Sequence, residues 1–144
     1  MVLHVDRNCF RGPRPTDLKE LRLDFGIDTI IDLESGFYDM LNGVAQFPPD
    51  FGVAYYHMPC SDIVSPNPNY VAKAIDLMSD MDRHVYVHCL SGVDRTGFVC
   101  AVYRMRVQGW SYEDALKEWK DLGRHPWYFG WEFALKKYAK GSGK

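Results

Sequence analysis

Ten consecutive residues, His88-Cys-Leu-Ser-Gly-Val-Asp-Arg-Thr-Gly97, hold a set of groups suited to phosphate chemistry. They begin at the end of the short β-like run "HVYVHC" and run into the start of the apolar helical run "RTGFVCAVYRMRVQGW". A loop between a strand and a helix turns backbone N–H groups inward and lies at the positive end of the helix, and both features bind anions. Gly92 allows a positive φ or a close backbone approach that a Cβ would hinder. A cysteine at the mouth of such a loop feels the same field, and together with Arg95 it favours the nucleophilic thiolate at Cys89. Arg95 can fork two N–H donors onto two phosphate oxygens, which a lysine cannot do. Thr96 offers a hydroxyl to hold the sulfur and help it leave, His88 can order the loop through backbone hydrogen bonds, and Gly97 lets the helix pack closely on the loop. Leu90, Ser91, Gly92, Val93, Asp94 and Arg95 would supply the backbone amides around the phosphate. Asp94 departs from this pattern, because a carboxylate facing a dianion is repelled; it is expected to turn sideways onto neighbouring groups.

The elements that must position this loop are legible in the periodicity. An opening strand leads to the helix "PTDLKELRLDFG", in which Thr16 is a cap, Leu18, Leu21 and Phe25 recur at helical spacing, and Gly26 is the stop. "IDTIIDLE" and "VAYYHMP" read as strands, with a Gly- and Pro-rich loop over residues 36–52 between them. "NYVAKAIDLMSDM" reads as a helix. Ser111 caps "YEDALKEWKDLG" with Asp114 three residues on, and a last helix covers Trp131 to Tyr138. Strands alternating with helices predict an α/β single domain: a mostly parallel sheet of about four to five strands flanked by helices. The domain is expected to span residues 1–139, with 140–144 as a short tail. Ligands in such sheets bind beyond the carboxyl ends of the strands, where His88 and Cys89 fall.

With 144 residues, 47% of them hydrophobic, the chain can bury a real core. Its net charge of −2 argues against bulk nucleic-acid binding or a polybasic membrane anchor. Charges and prolines in the first fifteen residues do not read as a secretion signal. The expectation is therefore a cytoplasmic protein with free thiols at Cys9, Cys60, Cys89 and Cys100. No C-x-x-C pair occurs, so no metal site is expected. No cofactor is expected either.

Cys89 and Arg95 separated by five residues, with His88 before and Thr96–Gly97 after, resemble the signature of cysteine-dependent protein tyrosine phosphatases. The short chain is similar to the compact dual-specificity-like, atypical branch, and "FRGPRPTDLKELRLDFGIDTIIDLE" resembles its opening. The resemblance implies a phosphocysteine intermediate on Cys89, no metal, and an aspartate upstream that protonates the leaving oxygen. Asp62 in "MPCSDIVSP" follows a predicted strand and takes that role, ahead of Asp50, Asp76, Asp80 and Asp82. The expected substrate is a phosphotyrosine protein, with phosphoserine and phosphothreonine as further substrates. Asp94–Arg95–Thr96 resembles the loops of lipid and inositol phosphatases and keeps a phosphoinositide or inositol phosphate open. Leu90 and Val93, where lysines often serve highly anionic head groups, argue against that. A phosphate-binding pseudophosphatase is the remaining alternative. Cys60 reads as a buried small residue; the other reading is that a closing acid loop brings it to Cys89 to form a reversible disulfide that protects the thiolate. Arg11 and Arg14 lie either near the site mouth or in solvent, and "HPWYFGW" reads as packing more than as a substrate rim.

Overall fold

The computed structural model describes residues 2–34, 52–60 and 66–139. The loop expected over 36–52 (all but its last residue), Asp50, Asp62 and the tail expected over 140–144 lie outside the described residues.

The chain opens with two short strands, β1 (Leu3–Asp6) and β2 (Cys9–Gly12), which pair antiparallel as a hairpin where the sequence pointed to one strand. Helix α1 (Leu18–Asp24) follows. Its cap is Asp17, whose carboxylate accepts the Glu20 N–H at 3.1 Å, so the capping role falls one residue after Thr16. Then come β3 (Thr29–Asp32), β4 (Ala54–His57), α2 (Pro68–Met78), β5 (Val85–His88), α3 (Arg95–Arg106), α4 (Tyr112–Asp121), a 3₁₀ turn (Pro126–Tyr128) and α5 (Trp131–Lys136). Ser111 caps α4 by accepting the Asp114 N–H at 3.1 Å. Helix α3 stops at Arg106, before Gly109, whose φ is +78°.

The five strands lie in the order β1-β2-β5-β3-β4, all parallel except the β1–β2 edge. This is the predicted α/β architecture. Register decides where the site forms: Gly12 pairs with His88, His88 with Asp32, and Asp32 with His57. The carboxyl ends of the four parallel strands therefore align along one edge, the ligand edge of such sheets.

Helices cover both faces. Helix α3 is the central one, and it packs against β5, α2, α4 and α5. Nine of its twelve residues are buried, which explains why "RTGFVCAVYRM" carries almost no polar stripe. Phe98 sits among three aromatic neighbours, with Trp131, Trp119 and Tyr138 centroids at 5.1, 5.6 and 6.2 Å in edge-to-face arrangements. On the opposite face α1 packs Leu21 onto Ile27, Ile30 and Tyr86. No helix among the described residues is long and apolar enough to cross a membrane.

Candidate active site

Strand β5 delivers His88 and Cys89 to the carboxyl edge, and the chain then turns within five residues into α3. Gly92 makes that turn possible, and Gly97 serves the helix that follows it. Gly92 has φ +80°, and a Cβ there would lie 2.5 Å from the Gly12 carbonyl carbon and oxygen. The loop thus rests directly on the backbone that ends β2. A Cβ at Gly97 would lie 2.3 Å from Cδ1 of Trp119, so the close packing this glycine permits is of α3 on α4 and not, as expected, of the helix on its loop.

The opening segment "FRGPRP" completes the seat. Arg11 is buried and donates from Nη2 to the Gly92 carbonyl at 2.8 Å. The Arg14 N–H donates to the Leu90 carbonyl at 3.1 Å. Arg14 also forks onto Glu34, with Nε at 2.9 and 3.0 Å from the two carboxylate oxygens. Of the two placements expected for these arginines, the one beside the site is the one found.

Cys89 is only 2% exposed, at the base of the loop. Arg95 opens α3; its Nε donates to the Tyr128 hydroxyl at 3.1 Å and its Nη1 to the Leu33 carbonyl at 3.4 Å. Burial works against its charge, but the Tyr128 hydroxyl and the nearby Cys89 and Cys60 thiols hold the Arg95 pKa above its ordinary value. Thr96 is fully buried, and its hydroxyl has no hydrogen-bond partner among the described residues. Burial pushes the Cys60 thiol up to about 11, with Arg95 pulling the other way. Cys60 therefore lies in the same electrostatic neighbourhood as Cys89 and Arg95. Burial likewise raises Cys9 and Cys100, two core thiols.

Beneath the loop is a buried polar cluster. His88 Nδ1 donates to the Cys89 carbonyl at 3.2 Å and lies 3.5 Å from Glu34. Asp32 accepts from the Glu34 N–H at 2.9 Å and from the Tyr55 hydroxyl. His57 Nε2 donates to the Glu34 carbonyl at 2.9 Å. Burial lowers the His88 pKa against the pull of Asp32, the Cys89 carbonyl and Glu34. Metal-ligating atoms of Asp32, Glu34 and His88 lie within 4.8 Å of one another, but Arg14 already balances Glu34 and Tyr55 engages Asp32. The arrangement is that of a support for the Cys89 peptide.

Asp94 is turned sideways, away from any capping of α3. Its carboxylate accepts from the His125 N–H and faces His125 Nδ1, each at 2.7 Å, and its carbonyl accepts from Trp119 Nε1 at 2.9 Å.

A family profile described as "Tc-R-P: Polymorphic toxin system, DSP-PTPase phosphatase" matches residues 11–109, from the arginine that braces the loop to the glycine beyond α3. The chain belongs to this DSP-PTPase phosphatase family. No curated protein sequence matches it. Solved phosphatase structures resemble it over nearly its whole length. PTPMT1 superposes with a TM-score of 0.78 at 20% identity, covering 96% of this chain and 93% of that one. The catalytic core of the PP-IP phosphatase SIW14 from S. cerevisiae gives 0.76 at 19%, covering 97% and 86%. TpbA from P. aeruginosa, solved with pTyr, gives 0.73 at 17%, covering 99% and 90%. At these identities the likeness is one of fold.

In this phosphatase-family chain, residues 88–97 are brought together at the sheet edge, whereas Asp62 falls outside the described residues. Asp76, Asp80 and Asp82 lie on or just after α2; Asp80 ion-pairs with Arg83 at 3.2 Å. The sequence reading missed His125, Tyr128 and Trp119, which grip the loop from the far end of the chain. The signal for His125 and Tyr128 was the aromatic density of "HPWYFGW", Trp119 reads as an apolar position of the helix before it, and no local spacing links any of them to Asp94 or Arg95.

Proposed function

We propose that the protein hydrolyses phosphomonoesters through a phosphocysteine on Cys89, with phosphotyrosine in proteins or peptides as substrate. The observation that carries this reading is the loop itself: a buried cysteine at the end of β5 and an arginine at the start of α3, on a seat braced by Arg11 and Arg14. In the first step the Cys89 thiolate attacks phosphorus, the S–P bond forms, the P–O ester bond breaks, and Asp62 gives its proton to the leaving oxygen. In the second, Asp62 takes a proton from water, the water oxygen attacks phosphorus, and the S–P bond breaks to release phosphate. Loop amides from Leu90 to Arg95 and the Arg95 guanidinium stabilise the equatorial oxygens. Thr96, whose buried hydroxyl has no partner among the described residues, steadies the sulfur as it leaves.

Phosphotyrosine is favoured over a polyphosphorylated head group by where the cations go. Arg11 is spent on the Gly92 carbonyl and Arg14 on Glu34, while Leu90 and Val93 bring no charge. TpbA, solved with pTyr, PTPMT1, solved with PI(5)P, and the PP-IP phosphatase SIW14 share this fold, so the fold alone does not choose among these substrates.

The test is a panel of phosphotyrosyl and phosphoseryl peptides, phosphoinositides and inositol phosphates, with C89S as control and D62N assayed beside the wild type. Phosphotyrosyl peptides should give the highest kcat/KM, C89S should be inactive, and D62N should lose most turnover on alkyl phosphates. Preference for an inositol phosphate overturns the substrate assignment. Absence of any hydrolysis with retained phosphate binding makes the protein a pseudophosphatase.

A further inference from the structure

One charge beside the phosphate loop opposes its purpose. Asp94 immediately precedes Arg95, is 8% exposed, and has its carbonyl fixed by the Phe98 N–H at 3.0 Å and by Trp119 at 2.9 Å. The peptide therefore cannot swing away, and only the side-chain torsion decides whether the carboxylate faces the anion site or leaves it. The two hydrogen bonds that the structure gives this carboxylate both come from His125, one from the main chain and one from the ring, each at 2.7 Å.

The His125 ring is itself held. It stacks on Trp127 at 4.4 Å with 16° between planes, and Trp127 is 56% exposed. Three residues on, Tyr128 takes the Arg95 Nε. The segment from His125 to Tyr128 thus grips two consecutive loop residues of opposite charge. The other charged groups around this segment are committed elsewhere. Arg124 Nη1 donates to Glu132 at 2.5 Å with its guanidinium over Trp119, and Lys120 lies 3.5 Å from Glu132.

We propose that His125 is a positioning residue for phosphate binding, holding the Asp94 carboxylate off the anion site through its N–H and Nδ1 donors. The inference rests on reading residues 88–97 as the phosphate-binding loop. Without the ring donor, a nearly buried carboxylate is left short of a partner and competes with phosphate for the donors of its own loop. Loss of His125 therefore weakens anion binding and raises KM more than it lowers kcat.

The experiment is calorimetric titration of inorganic phosphate into the wild type, H125A, H125N, D94N and the double variant D94N/H125A, with KM and kcat on an aryl phosphate. H125A should bind phosphate about tenfold more weakly, the worth of one hydrogen bond to a charged group. H125N, whose amide can donate from nearly the place of Nδ1, should recover most of that loss. The double variant should bind more tightly than H125A, because the charge to be restrained is gone. Wild-type affinity in H125A, or a double variant no tighter than H125A, overturns the proposal and leaves His125 a packing role. If H125A does not fold, H125F decides, because it keeps a ring to stack on Trp127 and lacks the Nδ1 donor: weaker phosphate binding than the wild type supports the restraint, and equal binding overturns it. A wild-type protein that binds no phosphate refutes the reading of the loop instead.

Discussion

Replacing Gly92 with alanine tests whether the phosphate loop is built against the end of β2. Two costs can be separated. The residue sits at φ +80°, where an L side chain costs about 1–2 kcal/mol. The new Cβ would also lie 2.5 Å from the Gly12 carbonyl carbon and oxygen and 2.7 Å from the Pro13 nitrogen, closer than real Cβ atoms come. Those are backbone atoms at the end of β2, whose Gly12 is registered to His88, so relief requires the loop and β2 to part. Overpacking of this kind costs about 1–3 kcal/mol. The total, about 2–5 kcal/mol, is a large part of the roughly 5–15 kcal/mol that stabilises a domain. G109A is the matched control, because Gly109 has φ +78° and open space around its missing Cβ. Urea denaturation should place G109A about 1–2 kcal/mol below the wild type, and G92A lower still by about 1–3 kcal/mol. Calorimetry should show phosphate binding kept in G109A and lost in G92A. A G92A protein as stable as G109A that binds phosphate like the wild type refutes the argument.

Other outcomes follow from the same geometry. G97A drives a Cβ to 2.3 Å from buried Trp119 and breaks its bond to the Asp94 carbonyl; urea denaturation should show a loss of about 3 kcal/mol. Iodoacetate near neutral pH should label Cys89 in the native protein and spare Cys9, Cys60 and Cys100, whose thiols burial pushes up; peptide mapping that finds Cys60 labelled equally contradicts this. His88 has its pKa lowered by burial below 6.5, so the folded state binds fewer protons than the unfolded chain. The stability carried by the neutral ring is complete above the unfolded value and lost as pH falls toward the folded one. Urea midpoints between about pH 7.5 and 5 should thus fall more steeply for the wild type than for H88Q.

The loop was legible because its chemistry is contiguous. Nucleophile, glycine turn and arginine follow each other between a β-branched strand and an apolar helix, and the alternation of such elements also announces the sheet. The parts that were not legible are held by contacts distant in sequence. Thr16 and Asp17 are both good caps, and only the actual start of α1 selects Asp17. The hairpin edge was missed because only Arg7 and Asn8 separate its two strands, with no glycine or proline to mark the turn. Asp94 was readable as a problem, a negative charge in an anion site. Its solution, His125, is 31 residues away across α4 and carries no spacing signature.

The central claim, a phosphorylated Cys89 in turnover, is open to direct measurement. Wild-type and D62N protein mixed with an aryl phosphate, quenched in acid within the first turnover and digested, can be mapped by mass. The account predicts one phosphoryl group on the peptide containing Cys89, enriched in D62N and absent in C89S. Hydrolysis that continues with that peptide unmodified, or that persists at wild-type rate in C89S, contradicts it.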